Sequence, residues 1–223
     1  MKRKNIIKTF LILCLLAFMT PSTLQSKRTE YWHQRSSLFE VLPIYPDDIV
    51  FFGNSITNGA ELQELFGMPN IKNRGIIGDN ISGLLERVHQ ITKGHPKKVF
   101  ILIGGNDVSQ NQTVAKMASN YRKLLRTIQE QSPETKIYIQ SVMPINNDFK
   151  RYKTMYGKEP IIKQLNQELE KIAKEFNVTY INVRPPLEDA NGKLKKEYTP
   201  DGLHLTGPAY MEWVEILRPY VME

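Results

Sequence analysis

The chain has 223 residues, of which 41% are hydrophobic and 24% charged, and its formal net charge at pH 7 is +7. Four of the 30 basic residues and none of the 23 acidic ones lie in the first 26 residues, so the remainder carries a net charge of +3. A charge this small gives no support to nucleic-acid binding.

The first 26 residues have the pattern of a secretory signal peptide. Four basic residues precede an apolar stretch over 10–19, and a polar segment follows. The stretch is shorter than the roughly 20 residues of a membrane-spanning helix, so we expect cleavage and no stable membrane insertion afterwards. Leu13 precedes Cys14 where a lipoprotein signal carries a small residue, which argues against a lipid anchor. We predict an exported protein, periplasmic or extracellular, with one domain over residues 27–223.

Beyond the signal, apolar runs alternate with helical patterns. Runs that suit buried parallel strands lie at 48–53, 70–73, 98–103, 136–142 and 179–183. After a polar, partly amphipathic segment over 29–42, helical patterns lie at 60–66, 81–92, 113–131, 160–176 and 208–221. The alternation predicts an α/β fold with a parallel sheet covered by helices on both faces. Ligands of such sheets bind beyond the carboxyl ends of the strands, where the polar motifs of this chain fall.

The first apolar run is followed by the motif GNSIT, residues 53–57. Its serine, Ser55, would lie on a strand-to-helix turn that can hold a hydroxyl group exposed and rigid. A serine in that place is more often a helix N-cap, but Gly53 and Gly59 would allow a tight turn and the close approach of a substrate. Ser55 is therefore a candidate nucleophile. Asn54 is expected to brace the turn and is also a candidate substrate-binding residue.

Two further motifs follow the second and third apolar runs. NRGIIGDN, residues 73–80, lacks the third glycine and the later acidic residue of a dinucleotide-binding loop. Gly78 could instead present its backbone N–H to an oxyanion, and Asp79 is expected to cap the next helix. In IGGND, residues 103–107, Asn106 could direct an amide N–H into the same cleft, while Asp107 is expected to be structural.

The last loop before the final helical pattern contains DGLH, residues 201–204. His204 lies three residues after Asp201, a spacing that lets a carboxylate reach the imidazole within a turn. The other three histidines lack such a neighbour. His204 is therefore the candidate general base, and Asp201 the group that sets its tautomer. With Ser55 they supply the hydroxyl, imidazole and carboxylate that acyl transfer requires.

A basic and aromatic stretch over residues 146–158 follows the fourth apolar run. Such a stretch is usually a solvated loop, but here it could also wall the cleft and attract an anionic substrate. Arg151 and Tyr152 are its candidate substrate-binding residues. No cluster of cysteine, histidine or carboxylate residues has metal-ligand spacing, and no P-loop lysine is present, so neither a metal nor another cofactor is predicted.

The four motifs, in this order, resemble those of SGNH hydrolases of the GDSL esterase/lipase superfamily. The resemblance implies a flavodoxin-like, three-layer α/β/α sandwich with about five parallel strands. It also implies Ser55 as nucleophile, His204 as base and Asp201 as the partner of the base. The implied oxyanion hole consists of the Ser55 backbone N–H, Gly78 and Asn106. Asn54 departs from the aspartate in the family name, and we expect this change to affect loop bracing more than the reaction.

The forms NRGIIGD and DGLHL are similar to platelet-activating-factor acetylhydrolase-like and carbohydrate acetyl esterases. Together with the predicted signal peptide, this resemblance implies a secreted esterase that removes short acyl groups, with acetyl expected, from a carbohydrate such as O-acetylated sialic acid. One alternative is a lysophospholipase or thioesterase of the same fold, which would need a longer apolar acyl groove. Another is a non-catalytic glycan-binding module, against which the intact Ser55, Asp201 and His204 argue.

Overall fold

The computed structural model describes residues 28–223. Its strands are β1 (Ile49–Gly53), β2 (Ile71–Gly75), β3 (Lys98–Leu102), β4 (Lys136–Gln140) and β5 (Thr179–Ile181). All neighbouring strands are parallel, and their order across the sheet is β2-β1-β3-β4-β5. This order confirms the predicted flavodoxin-like α/β fold. The signal-peptide prediction for residues 1–26 lies outside the described residues.

Nine α-helices connect and flank these strands in residues 28–223. They are α1 (Glu30–Val41), α2 (Ser55–Asn58), α3 (Leu62–Phe66), α4 (Ile81–Arg87), α5 (His89–Thr92), α6 (Gly105–Ser109), α7 (Val114–Gln131), α8 (Glu159–Glu175) and α9 (Gly207–Met222). The three longest helices that follow β3 begin and end within one residue of the predicted bounds. The helix predicted over 81–92 is divided into α4 and α5 at Val88, and the short α6 was not predicted.

Alternate side chains of the strands enter two apolar cores. On one face of the sheet, Val50 and Phe52 pack with residues of α4, α5, α7 and α8. On the other face, Phe51 packs with residues of α3 and α9. In this second core the rings of Phe51, Phe100 and Tyr138 lie opposite one another on β1, β3 and β4, with centroid distances of 4.9 and 4.4 Å. Such cross-strand contacts stabilise the centre of the sheet, from which the site is built.

The helix α1 precedes the sheet and packs through Trp32 and Phe39 against Ile76 in the loop after β2. Thr29 caps it, since its Oγ1 accepts a hydrogen bond from the backbone N–H of Trp32 at 3.1 Å. Among residues 28–223, no helix combines the length and the apolar character needed to cross a bilayer.

Candidate active site

The side chains of Ser55, His204 and Asp201 form one hydrogen-bonded chain beyond the carboxyl end of β1. His204 Nε2 lies 3.0 Å from Ser55 Oγ, and His204 Nδ1 lies 2.7 Å from Asp201 Oδ2. With the proton on Nδ1, the imidazole donates to the carboxylate, and Nε2 is left to accept the serine proton. The arrangement can activate the hydroxyl for attack on a carbonyl carbon.

The Asp201 carboxylate is held by further hydrogen bonds. Its Oδ1 accepts from the backbone N–H groups of Leu203 and His204, at 2.9 and 2.8 Å, and its Oδ2 accepts from the hydroxyl of Tyr152 at 2.9 Å. Burial alone would raise the pKa of Asp201, but the hydrogen bonds from His204, Leu203 and Tyr152 outweigh it and hold the pKa well below its usual range. Asp201 is thus negatively charged at neutral pH, which is the state that stabilises an imidazolium.

Polar side chains brace the turn that carries Ser55. Asn54 Oδ1 accepts from the backbone N–H of Ile56 at 3.1 Å and so caps α2. Asn73 on β2 donates through Nδ2 to the carbonyl oxygen of Thr57 at 2.6 Å. The bracing expected of Asn54 is therefore present, and its side chain also borders the cavity beside Ser55.

The two glycines that flank Ser55 allow other parts of the protein to pack closely against them. A Cβ atom at Gly53 would lie 2.3 Å from Thr57 Oγ1, and one at Gly59 would lie 2.9 Å from the hydroxyl oxygen of Tyr210. The prediction that these two glycines leave space for a substrate is wrong, because atoms of the protein fill that space.

Ser55, Gly78 and Asn106 border the same cavity, and each carries an N–H group that could bind an oxyanion. Gly78 borders the same cavity with φ at +76°, which glycine adopts without strain, and its N–H donates to no atom of the described residues. Asn106 Nδ2 donates one hydrogen to the carbonyl oxygen of Asp79 at 2.8 Å, and its second hydrogen has no acceptor within residues 28–223. The Ser55 N–H opens α2 and has no intrahelical acceptor. These groups can together bind a developing oxyanion.

The carboxylate of Asp79 does not cap α4 as predicted. Asn80 performs that role, since its Oδ1 accepts from the backbone N–H of Gly83 at 3.0 Å. Asp79 is fully buried and pairs with Arg87, whose Nε lies 2.9 Å from Asp79 Oδ2. Burial raises the pKa of Asp79, although the nearby Arg87 opposes this effect.

Asp107 is also buried and serves the local structure. It accepts from the backbone N–H of Ile81, at 3.1 Å to Oδ2. Burial, only partly opposed by this bond, raises the pKa of Asp107 to about 7. Its carboxylate contacts the start of α4 and does not line the cavity beside Ser55.

A cavity of about 290 Å³ opens beside Ser55 and His204. Its walls are mainly apolar, which is typical of pockets for small organic ligands. The apolar side chains come from the loops and strand ends at the carboxyl edge and are Ile56, Ile77, Leu102, Ile103, Val142, Met143, Ile145, Met155 and Leu203. One water molecule needs roughly 10–15 Å³ of such a cavity, and a two-carbon acyl group has three heavy atoms, so the cavity exceeds what that group needs.

The loop over residues 146–158 forms part of this wall. Tyr152 borders the cavity, and its ring meets the His204 ring edge to face, with centroids 5.8 Å apart. Arg151 is exposed and lies outside the cavity, beside a small depression next to Asp201. Of the two candidate substrate-binding residues in this loop, only Tyr152 borders the cavity.

Two contributors to the site were missed by the sequence analysis. Arg87 Nη2 donates to the carbonyl oxygen of Gly53 at 3.1 Å, directly before the GNSIT turn. Arg87 follows Leu84 by three residues and therefore lies on the apolar side of the predicted helix. A basic residue on that side indicates a buried ion pair. Trp32 contacts the loop of Gly78, and no sequence pattern indicates this contact. Within residues 28–223, no three metal-ligating side chains come together as a metal site.

Comparison with known proteins gives a family match over most of the chain. The model of the GDSL-like lipase/acylhydrolase family matches residues 51–211. The matched stretch includes all four motifs, from Ser55 to His204.

Individual relatives are distant in sequence. N-acylneuraminate cytidylyltransferase of Escherichia coli is 27% identical over 166 residues, which are 73% of this chain but 38% of that protein. Platelet-activating factor acetylhydrolase IB subunit alpha2 of Gallus gallus is 23% identical over 188 residues, which are 79% of this chain and 76% of that protein. A solved structure from Streptococcus pneumoniae, described as a platelet activating factor, has a TM-score of 0.78 and 29% identity, covering 97% of this chain and 99% of its own.

Proposed function

Since this chain belongs to the GDSL-like lipase/acylhydrolase family of ester hydrolases, we propose that it cleaves esters with Ser55 as nucleophile, His204 as general base and Asp201 as the carboxylate that orients the imidazole. One observation carries the proposal: His204 Nε2 lies 3.0 Å from Ser55 Oγ, across 149 residues of sequence, while Nδ1 contacts Asp201. A helix-capping serine and a turn-forming aspartate would not need this alignment.

The proposed reaction has two steps. Ser55 Oγ attacks the ester carbonyl carbon as its proton passes to His204 Nε2, and the carbonyl oxygen becomes an oxyanion bound by the N–H groups of Ser55, Gly78 and Asn106. The C–O bond to the alcohol then breaks, and His204 returns the proton to the leaving alcohol. A water molecule that gives its proton to the same imidazole attacks the acyl-enzyme, which releases the acid and regenerates Ser55.

For the substrate we propose an acetylated carbohydrate, such as an O-acetylated sialic acid. The Gallus gallus relative is named an acetylhydrolase, and the name of the Escherichia coli relative refers to N-acylneuraminate, a sialic acid. The predicted signal would deliver the enzyme to the compartment where extracellular glycans are available. Arg151, exposed beside the active site, would favour an anionic sugar.

A second candidate, with a longer acyl group as in a lysophospholipase or thioesterase, is favoured by the cavity. Its apolar walls, which include Ile145, Met155 and Leu203, could bury methylene groups at about 0.8 kcal/mol each. The two candidates share the Ser55 chemistry and differ in acyl-chain length.

The test measures acetate release from acetylated sialic acids, xylan and pectin fragments, together with hydrolysis of nitrophenyl esters from acetate to decanoate. Ser55→Ala should lower kcat by about 10⁴-fold or more, whereas Ser37→Ala, on the exposed surface of α1, should leave it unchanged. Full activity of a folded Ser55→Ala protein would refute the proposed nucleophile. A higher kcat/KM for decanoate than for acetate would replace the acetyl assignment with the second candidate.

A further inference from the structure

The helix α1 precedes residues 51–211, which the family model matches, yet it contacts the loop that carries Gly78. Trp32 on α1 donates through Nε1 to Asp79 Oδ1 at 3.0 Å, in a buried hydrogen bond. Arg28, just before α1, donates to Asn80 Oδ1 at 2.9 Å. The start of the described chain is therefore joined to this loop by polar contacts of defined geometry.

Asp79 is the residue at which these contacts meet. Its backbone N–H donates to Ile76 at 3.2 Å, and its carbonyl oxygen accepts from Asn106 Nδ2 at 2.8 Å. Its carboxylate accepts from Trp32 through Oδ1 and from Arg87 Nε through Oδ2. Because main chain and side chain are both engaged, a change in the orientation of Asp79 would move the groups bonded to it.

Each of the N–H groups assigned to the oxyanion is linked to this residue. Gly78 precedes Asp79 in the chain, so the orientation of its N–H depends on the same loop. The amide of Asn106 is oriented by the carbonyl oxygen of Asp79. Arg87 joins the carboxylate to Gly53, two residues before Ser55. A misplacement of one oxyanion donor is costly, since loss of such a donor lowers kcat by about 10²- to 10³-fold.

We propose that Trp32 and Asp79 are positioning residues for the oxyanion hole. The indole N–H of Trp32, together with the backbone N–H of Asn80, holds Oδ1 of the Asp79 carboxylate. Asp79 in turn holds the Gly78 N–H and the Asn106 amide in place. This inference rests on the proposed function, because it assigns a role to groups that act on the ester carbonyl oxygen. It makes α1, outside the family-matched residues, part of the machinery that sets kcat.

The experiment compares two substitutions that each remove one buried indole N–H. Trp32→Phe removes the bond to Asp79, whereas Trp213→Phe removes the bond from Trp213 Nε1 to Gln140, 2.7 Å long and buried between α9 and the sheet. With kcat normalised to active sites titrated by a fluorophosphonate, Trp32→Phe should lower kcat about tenfold with little change in KM. Trp213→Phe should lower the melting temperature and leave kcat within about twofold of wild type.

A third variant separates the hydrogen bond from packing. In Trp32→His the imidazole Nε2 takes the ring position of the indole Nε1, so a donor to Asp79 is retained while apolar surface is lost. We expect Trp32→His to melt at a lower temperature than Trp32→Phe and yet to have the higher kcat. A kcat that follows melting temperature across the three variants, or wild-type kcat in Trp32→Phe, overturns the proposal. If Ser55→Ala also retains activity, the proposed function itself fails; if Ser55→Ala is inactive, only the positioning role does.

Discussion

The hydroxyl of Tyr152 donates to Asp201 Oδ2 at 2.9 Å, the same carboxylate oxygen that lies 2.7 Å from His204 Nδ1. Two donors therefore share one oxygen. The tyrosine hydroxyl also lies 3.3 Å from His204 Nδ1, and its hydrogen bond to the carboxylate is one of those that hold the pKa of Asp201 below its usual range.

Removal of this hydroxyl should lower kcat. In Tyr152→Phe the carboxylate of Asp201 loses one of the hydrogen bonds that orient it toward His204. Since a single hydrogen bond contributes about 1 kcal/mol, kcat should fall about 3- to 10-fold with a small change in KM. Steady-state kinetics with an acetyl ester measures both constants.

The matched control is Tyr156→Phe, the same change in the same loop. Tyr156 is exposed, and its hydroxyl makes no hydrogen bond within the described part of the chain. Its kcat should equal that of wild type. A wild-type kcat in Tyr152→Phe would contradict the role assigned to the Tyr152 hydroxyl.

Asn106→Ala should impair turnover more than binding. The substitution removes the proposed donor to the oxyanion and also the bond to the Asp79 carbonyl oxygen, so kcat should fall by about 10²- to 10³-fold with a small change in KM. Steady-state kinetics with an acetyl ester measures both constants. Asn191→Ala, in an exposed turn, is the control and should behave as wild type. A higher KM with an unchanged kcat would show that Asn106 does not donate to the oxyanion.

Asp107→Asn should stabilise the protein at alkaline pH. The pKa of Asp107 is about 7 in the folded state, whereas its ordinary value is 3.8. Between pH 3.8 and about 7, the folded state therefore binds more protons at this group than the unfolded state does. The contribution of Asp107 to stability is therefore present below about pH 4 and is lost as the pH rises through 7. Asparagine can still accept from Ile81 without a buried charge, and the gain at pH 8 should be roughly 1–3 kcal/mol.

Denaturant unfolding at pH 5 and pH 8 tests this expectation. The stability difference between Asp107→Asn and wild type should be larger at pH 8 than at pH 5. Asp47→Asn, at an exposed position, should show no such pH dependence. An equal difference at both pH values would mean that Asp107 does not titrate in this range.

Met155→Ala should change the preference for acyl-chain length. Met155 is buried in the cavity wall, and its truncation lengthens the space available beside Ser55. We expect the ratio of kcat/KM for decanoate to that for acetate to rise several-fold, since each methylene newly buried contributes about 0.8 kcal/mol. Met211→Ala, at an exposed position of α9, should leave the ratio unchanged. An unchanged ratio in Met155→Ala would show that the acyl group does not bind against Met155.

The parts of the structure that depend on local pattern were predictable from sequence. Apolar runs fixed the five strands, and because parallel strands end at one edge, the motifs after them were expected to meet there. The pairing of Asp201 with His204 follows from a spacing of three residues within one turn. These features need only short-range information together with the topology of the sheet.

Other features depend on packing between distant segments. The bond between Trp32 and Asp79 spans 47 residues, and it exists because α1 docks beside the loop after β2. The packing role of Gly59 arises only because Tyr210, on the last helix, fills the space above it. In each case the sequence identifies the residue type, while its partner is set by tertiary structure.

Because Asp201 and His204 belong to one turn, the proposed base and its carboxylate are brought together by local structure. The Ser55–His204 contact, in contrast, spans 149 residues and forms only when the carboxy-terminal segment has packed beside β1. Recovery of turnover after dilution from denaturant would therefore report on long-range packing, and the local Asp201–His204 pair would not limit it.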